Sequence, residues 1–247
     1  SVELPMLRAV HADAMALRDD RGYGHLAGIH GYPLPLYCAH QDELFLPWHR
    51  AYLHLFERTL QDLEPSFYVP WWDWTSTASH REGMQAAYAD AAVDGEANRL
   101  ASAPMEGLST QELIAFANAG LTTSATDPHT RREPGSPADL PTADEIDAIL
   151  DLDDFLDFSG QLEQPHNRVH MWVGGTMGAV PSAAFDPIFW AHHCMIDRLW
   201  YLWQLRHPGA GPPAWLLDRP LAPFRLRVRD VLDINALGYG YASASFI

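Results

Sequence analysis

Residues 186–203 read DPIFWAHHCMIDRLWYLW, a largely apolar run with two adjacent histidines near its start. Its large apolar side chains recur at the three- and four-residue spacing of one helix face; they are Phe189, Ile196, Leu199, Trp200 and Trp203. His193 falls on the same face. The pattern predicts a long buried helix that begins at Asp186-Pro187, an N-cap residue followed by proline, and ends near His207.

A second helix is predicted upstream, because Pro47 is favoured at a first helical position and Pro65 marks an end. Its apolar face consists of Tyr52, Leu53, Phe56, Leu60 and Leu63. His49 lies on that face, three residues before Tyr52. A single histidine in such a place is more often a hydrogen-bonded core residue than a metal ligand, so His49 and His193 gain meaning only together.

The sequence PHNRVHMWV at 165–173 places His166 and His170 one helical turn apart, so both imidazoles face the same way. Two imidazoles at this spacing can reach one metal ion. The apolar neighbours Val169 and Trp172 argue against a solvent-exposed turn. A zinc protease would need a glutamate as general base where Asn167 stands, which argues against that class of enzyme.

Two sets of three histidines emerge: His30, His40 and His49 upstream, and His166, His170 and His193 downstream. Neutral imidazoles suit copper or zinc, whereas magnesium and calcium prefer oxygen ligands. A di-iron bundle would repeat the Glu-x-x-His motif, for which Glu163-x-x-His166 is a single close match. The residues therefore indicate a histidine-rich, dinuclear site inside a helical bundle, and their spacing leaves zinc open beside copper.

The composition of the 247 residues fits one globular domain over residues 1–247. Sixteen basic and thirty-two acidic residues give a net charge of −16, which argues against nucleic acid and anionic membrane surfaces as partners. No apolar stretch reaches the roughly eighteen residues of a membrane span, so we expect a soluble protein, cytoplasmic or secreted. Two cysteines, Cys38 and Cys194, cannot form a disulfide scaffold or a four-thiolate metal site.

Local signals predict the remaining elements. An amphipathic helix opens the chain over residues 4–17. Two residue pairs have the spacing of a helix-starting capping box: Ser109 with Glu112, and Thr142 with Glu145. Residues 122–141, rich in proline, serine and threonine, are predicted to form a surface loop, and residues 237–241 a short strand or extended piece. The predicted fold class is mainly α, with minor short β segments.

At these histidines the chain resembles the tyrosinase and polyphenol oxidase family of dinuclear copper proteins. The similar stretches are IHG at 29–31, YCAH at 37–40, FLPWHR at 45–50, PWWDW at 70–74, HNRVHMWVGG at 166–175, DPIFWAHH at 186–193 and LGYGY at 237–241. The resemblance implies a tyrosinase-like helical bundle around two copper ions, with O2 as co-substrate. His30, His40 and His49 would hold one ion, copper A, while His166, His170 and His193 would hold the other, copper B.

Two further residues acquire structural roles from the resemblance. Cys38 matches a position at which some members form a thioether between the cysteine sulfur and a histidine ring, here that of His40. Such a bond would fix the imidazole without making the sulfur a ligand; an ordinary buried cysteine is the alternative. His192 corresponds to a histidine beside copper B that is not itself a ligand.

Three residues acquire roles in catalysis from the same resemblance. Asn167 and Glu163 are similar to the pair that orients a catalytic water; a carboxylate near a helix start, favoured by the helix dipole, is the alternative for Glu163. Val180 falls where relatives place a residue over the copper pocket, and a valine there leaves the entrance fairly open.

The resemblance implies an enzyme that uses O2 to oxidise o-diphenols to o-quinones and also hydroxylates monophenols at the ortho position. The substrate would be a small phenol, whereas a copper-delivery partner and the oligomeric state are left open. Three alternatives remain: an o-aminophenol oxidase on the same site, a haemocyanin-like oxygen carrier, and a zinc-bound or metal-free relative. We expect an enzyme and not a carrier, because the 247 residues hold no extra domain that would cover the pocket.

Overall fold

The computed structural model describes residues 4–32 and 35–242. The helices in these ranges are α1 (Leu4–Ala16), α2 (Tyr23–Gly28), α3 (Phe45–Gln61), α4 (Thr77–Glu82), α5 (Ala86–Ala89), α6 (Thr110–Asn118), α7 (Ala143–Leu150), α8 (Phe155–Val173), α9 (Ile188–Arg206) and α10 (Ile234–Leu237). An antiparallel hairpin pairs β1 (Ala92–Val93) with β2 (Glu96–Ala97). The predicted mainly α fold with minor β segments is confirmed. The domain predicted over 1–247 includes residues 1–3, 33–34 and 243–247, which lie outside the described ranges, and it stays a prediction.

Helices α3 and α9 pack against each other at the centre of the bundle. Helix α9 follows Pro187 directly and ends one residue before His207, close to the predicted bounds. Helix α3 starts at Phe45, two residues before the predicted start. Pro47 fits at the third helical position because the first N–H groups of a helix have no intrahelical acceptor to lose. None of the helices in the described ranges combines the length and apolar character needed to cross a membrane.

Helix α8 extends well beyond the HNRVH motif in both directions. It begins after Asp154, whose carboxylate accepts the N–H groups of Leu156 at 2.8 Å and Asp157 at 3.1 Å. It then continues through Pro165 to Val173, so the motif lies inside a nineteen-residue helix and not on a short turn. This placement buries the histidine face of the motif against α9.

Aromatic rings fill the space between the long helices. Phe56 of α3 stacks on Trp190 of α9 with ring centroids 3.6 Å apart, and Phe158 of α8 stacks on Trp203 at 4.8 Å. Trp203 is buried, as the apolar stripe of residues 186–203 predicts, and Trp190 is buried as well. Burial of each ring stabilises the fold by about 2–3 kcal/mol before entropy is counted, so this core holds the histidine-bearing helices in place.

A buried ion pair also ties α3 to α9. Arg50 Nε donates to Asp197 Oδ1 at 2.5 Å, and the guanidinium lies over the Trp200 ring, 3.6 Å from its centroid. The hydroxyls of Tyr239 and Tyr241 donate to Asp197 Oδ2 at 2.7 and 2.6 Å. One carboxylate thus joins two helices and the segment that follows α10.

Of the two forms predicted for residues 237–241, a short strand or an extended piece, the strand does not form among the described residues. Leu237 ends α10, and Gly238 closes that turn in the left-handed region, with φ of 87°. Tyr239 and Tyr241 pair with no strand among the described residues. Their two-residue spacing instead brings both hydroxyls to the single carboxylate of Asp197.

The two capping boxes differ in outcome. At α6 both halves form: Glu112 N–H donates to Ser109 Oγ at 3.3 Å, and Ser109 N–H donates to the Glu112 carboxylate at 2.6 Å. At α7, Thr142 Oγ1 accepts the N–H of Glu145 at 3.2 Å, but the Glu145 carboxylate pairs with Arg168 of α8. A tertiary ion pair therefore replaces the local bond.

Residues 122–141 are mostly irregular, as predicted, with one 3₁₀ turn at Pro137–Asp139. Backbone bonds fasten this segment to the end of α8: Glu133 N–H donates to the Val173 carbonyl at 2.9 Å and Gly135 N–H to the Trp172 carbonyl at 2.8 Å. The segment is therefore a surface loop, as predicted, that is fastened along α8.

Candidate metal centre

The upstream histidines converge although they lie on different local structures. His30 sits in the turn that ends α2, His40 in the irregular segment before α3, and His49 in the first turns of α3. Their ring centroids are 5.7 Å apart for His30 and His40, 5.9 Å for His30 and His49, and 5.3 Å for His40 and His49. Together with Cys38 they form a group of ligand atoms that all lie within 4.8 Å of one another.

The downstream histidines form an even tighter group. The Nε2 atoms of His166, His170 and His193 are separated by 3.1 to 3.4 Å. Two of these side chains come from α8 and the third from α9, so helix packing alone brings them together. Nitrogens at this spacing can share one ion at the usual metal–nitrogen distance of about 2.0 Å.

The two groups lie side by side. The His49 ring stacks on that of His193 with centroids 4.4 Å apart and planes inclined by 13°, and the His40 and His166 centroids are 5.5 Å apart. Six imidazoles therefore line one continuous space, which suits two neighbouring ions. Neither group includes a carboxylate among the described residues, a donor set that favours copper or zinc over magnesium or calcium.

Hydrogen bonds at Nδ1 direct the opposite nitrogen of four imidazoles inward. The acceptors are the Val180 carbonyl for His30 (2.9 Å), the Phe45 carbonyl for His49 (2.8 Å), the Met177 carbonyl for His170 (2.9 Å) and Asn167 Oδ1 for His166 (3.0 Å). An oxygen acceptor requires Nδ1 to carry the proton, which leaves the Nε2 lone pair for a metal.

Electrostatics also keep these side chains ready for a metal. Burial lowers the pKa of each of the six imidazoles, to about 4 for His40 and about 3 for His170. The rings are therefore neutral at pH 7, and neutral imidazole is the form that binds a metal. Residues and charge state both fit two copper ions.

Cys38 lies among the upstream imidazoles. Its Sγ is 3.0 Å from His40 Nδ1, 3.0 Å from His30 Nε2 and 3.5 Å from His49 Nε2. Burial raises the pKa of the thiol well above its usual value, so the sulfur carries its proton at neutral pH. The sequence pairs this cysteine with His40, and the structure adds His30 as an equally near neighbour.

The predicted water-orienting residues occupy one face of α8 but make different contacts. Glu163 Oε1 accepts the N–H of Gln41 at 2.7 Å, next to His40, and burial raises the pKa of this carboxyl. Gln41 has a positive φ of 52°, so the carboxylate holds a tight bend. Asn167 Oδ1 accepts a hydrogen bond from His166 Nδ1–H at 3.0 Å. The roles of both residues toward a water stay predictions.

His192 and Val180 both lie beside the imidazoles. The His192 ring is fully buried and stacks on His166 with centroids 5.1 Å apart. One of its nitrogens belongs to the downstream group of ligand atoms, so proximity alone admits it as a ligand and its non-ligand role stays a prediction. Val180 is 41% exposed, in keeping with a place at an entrance.

Sequence patterns missed the carbonyl groups that orient the imidazoles. Backbone acceptors such as Met177 and Val180 carry no side-chain signature. The sequence did carry one signal, the glycine that follows His30. A Cβ on Gly31 would lie 2.4 Å from Pro181 Cα, so glycine is required there for the turn to approach the Val180 segment.

Two histidine triads in direct contact inside a helical bundle define a class of protein, the dinuclear metal proteins with all-imidazole ligation. Within that class, a family model described as the common central domain of tyrosinase matches residues 20–206, and the chain belongs to the tyrosinase family. The resemblance inferred from the sequence is confirmed.

Individual relatives support this assignment. The chain is 35% identical over 189 residues to a tyrosinase of Streptomyces glaucescens, which covers 70% of this chain and 66% of that one. It is 34% identical over 220 residues to a tyrosinase of Streptomyces lincolnensis, with 78% and 77% covered. A functional unit of octopus haemocyanin superposes with a TM-score of 0.80 at 25% identity, covering 98% of this chain and 65% of that one. The chain thus spans about two thirds of the length of the first of these tyrosinases.

Proposed function

We propose that this chain is a dicopper oxidase that uses O2 to oxidise o-diphenols to o-quinones and also hydroxylates monophenols at the ortho position. The convergence of six neutral imidazoles on one space, five of them buried and that of His40 partly buried, carries the proposal. Overall, two diphenols give up two electrons and two protons each, and one O2 takes them up as two waters. Bound copper would supply the O2-binding and electron-transfer chemistry of the site.

The protein's own residues prepare the site for this reaction. His30, His40 and His49 would hold one ion, and His166, His170 and His193 the other. Aromatic rings limit the access of water to the buried imidazoles, because Phe45 and Phe189 lie against them with ring centroids 4.8 Å from His166 and 4.1 Å from His193. Val180 borders the entrance through which a small phenol would reach the pocket.

A monophenol must lose its proton before it can react, and its pKa near 10 calls for a base. Asn167 and Glu163 are four residues apart on α8 and share a face. With Asn167 Oδ1 and Glu163 Oε1 engaged, the amide NH2 of Asn167 can donate to a water while Glu163 Oε2 accepts its proton. We assign the pair to holding that water as the proton acceptor for the phenol.

O2 uptake by the copper-loaded protein tests the proposed reaction, with an o-diphenol, a monophenol and an o-aminophenol as parallel substrates. We expect uptake with the first two, and its loss in His193→Ala with retention in His54→Ala, a matched change elsewhere in the bundle. The likeness to octopus haemocyanin favours one alternative, a carrier. Reversible O2 binding without phenol oxidation would establish the carrier, preference for the o-aminophenol would revise the substrate, and zinc in the purified protein would overturn copper.

Variants at Asn167 test the proposed water. Asn167→Ala removes both the acceptor for His166 and the donor to the water, whereas Asn167→Asp keeps an acceptor oxygen and removes the NH2 donor. We expect Asn167→Asp to keep its copper and to lose monophenol hydroxylation at least tenfold more than diphenol oxidation. Equal losses on both substrates would refute the role.

We also propose a thioether between Cys38 and His40, supported by the 3.0 Å approach of Sγ to the ring. With O2 as oxidant, the new carbon–sulfur bond replaces the thiol hydrogen and one ring hydrogen, so the intact mass falls by two hydrogens. Mass spectrometry of protein exposed to copper and O2 should show this deficit. It should persist in Cys194→Ser and vanish in Cys38→Ser; an unchanged mass in the wild type would contradict the cross-link.

A further inference from the structure

One connection serves both histidine groups. Residues 174–182, here called the shared loop, join the end of α8 to the turn that precedes α9. The Met177 carbonyl accepts Nδ1–H of His170 at 2.9 Å, and three residues later the Val180 carbonyl accepts Nδ1–H of His30 at 2.9 Å. The shared loop therefore orients one imidazole from each group.

A buried threonine holds the shared loop in place. Thr176 is fully buried, and its Oγ1 donates to the Leu121 carbonyl at 2.7 Å while it accepts the N–H of Arg131 at 2.9 Å. The Thr176 N–H in turn donates to the Arg131 carbonyl at 2.9 Å. Three hydrogen bonds thus fasten one residue of the loop to two residues of an adjacent segment, Leu121 and Arg131.

Close packing leaves the loop little freedom around this threonine. Ser182, also fully buried, donates its hydroxyl to the Thr176 carbonyl at 2.7 Å, which links the far end of the loop to its centre. A Cβ on Gly175 would lie 2.3 Å from the Arg131 carbonyl oxygen, so the backbones are in contact there. The positions of the Met177 and Val180 carbonyls follow from these restraints.

We propose that Thr176 is a positioning residue for both metal sites at once. Its hydroxyl fixes the shared loop, and the loop fixes the ring orientation of His30 and of His170. Loss of the hydroxyl leaves the Leu121 carbonyl and the Arg131 N–H without their hydrogen-bond partner, so the loop must shift to satisfy them. Mutation of the hydrogen-bond partner of a ligand histidine typically lowers metal affinity by about 10–100-fold. Here one side chain holds in place the partners of two histidines, one at each site. The inference rests on the proposed function only in taking copper as the metal.

Copper binding by three variants, measured by competition with a chelator, tests this proposal. Thr176→Val keeps the shape and removes the hydroxyl, whereas Thr176→Ser keeps the hydroxyl. Thr122→Val is the matched control, because Thr122 is also buried and its hydroxyl donates to the His129 carbonyl at 2.8 Å, outside the shared loop. Denaturant unfolding of the metal-free proteins shows whether stability losses are alike.

We expect Thr176→Val to weaken binding of both ions by about 10-fold or more, with Thr176→Ser and Thr122→Val within about threefold of the wild type. Weakening at one site only, or equal affinities in Thr176→Val and Thr122→Val, would overturn the proposal. If Thr176→Val fails to fold, Ser182→Ala serves as the second variant and should weaken both ions in the same way. Failure of the oxidase proposal is distinguishable, since it concerns O2 uptake by wild-type protein whose copper is bound.

Discussion

Replacing Asp197 by alanine is expected to destabilise the metal-free protein by about 5 kcal/mol. Asp197 and Arg50 are 3% and 0% exposed at the side chain, so the substitution leaves a buried guanidinium without its carboxylate. Breaking a buried ion pair from one side costs about 3–5 kcal/mol. The hydroxyls of Tyr239 and Tyr241 lose their acceptor as well, at about 1 kcal/mol each.

Part of this loss is recovered, because Arg50 keeps a bond to the Val231 carbonyl at 3.1 Å and its stacking on Trp200. For that reason the expected total stays near the upper limit of the ion-pair range. Asp197→Asn keeps the size and one acceptor oxygen, so it should cost about half as much.

Unfolding in guanidinium chloride at pH 7 measures these losses of stability, from the shift of the transition midpoint when the denaturant slope (m) is unchanged. Asp147→Ala is the matched control, since Asp147 pairs with Arg206 at the surface with 57% of its side chain exposed. An exposed pair is worth about 0–1 kcal/mol. If Asp197→Ala costs no more than Asp147→Ala, the buried pair does not hold α3 to α9 and the reasoning fails.

Three further outcomes follow from burial and packing. Burial lowers the pKa of His11 from 6.5 to about 4, so its contribution of about 3 kcal/mol to the free energy of unfolding is complete above pH 6.5 and is lost as the pH falls towards 4. When the free energy of unfolding is measured against pH, His11→Leu should lack this part of the acid sensitivity. Parallel curves for the variant and the wild type would refute the prediction. Gly31→Ala should lower the free energy of unfolding by about 1–3 kcal/mol and weaken copper binding. Gly160→Ala, which has open space around its Cβ on α8, should be neutral or stabilising in the same unfolding assay. Similar effects of the two variants would count against the close approach of Gly31 to Pro181. Glu163→Leu should slow thioether formation, which mass spectrometry follows. Glu57→Leu also removes a carboxylate that accepts a backbone N–H, and it should leave the rate unchanged. Equal rates in the two variants would rule out a role of Glu163 in placing the His40 segment.

Periodicity was sufficient for the elements that bury a broad apolar face. The stripe around His193 located α9 to within about one residue, and the stripe around His49 located α3 to within two at its start. The same spacing placed both histidines toward the core, where the structure has them. Sequence predicts such features because burial of a periodic face is dictated locally.

The features that failed depend on contacts distant in the chain. Glu145 was expected to close a local capping box and instead pairs with Arg168, and the alternating tyrosines near the C-terminus serve one carboxylate of α9 instead of a sheet. The carbonyl partners of His30 and His170 belong to the same category, because any residue can offer a backbone oxygen. Patterns of side chains therefore predicted the histidines that converge but not the backbone groups that orient them.

The side-by-side arrangement of the two histidine groups has a consequence for how the protein opens. An ion held by the upstream group cross-links only residues 30–49, and an ion held by the downstream group only residues 166–193. Each ion lowers the chain entropy of its own half, and neither spans the gap between them. The halves touch through the stacked rings of His49 and His193, through α3–α9 packing and through the bond from His30 to the Val180 carbonyl. Separation of the halves would thus disable the centre without removing any histidine from its own group.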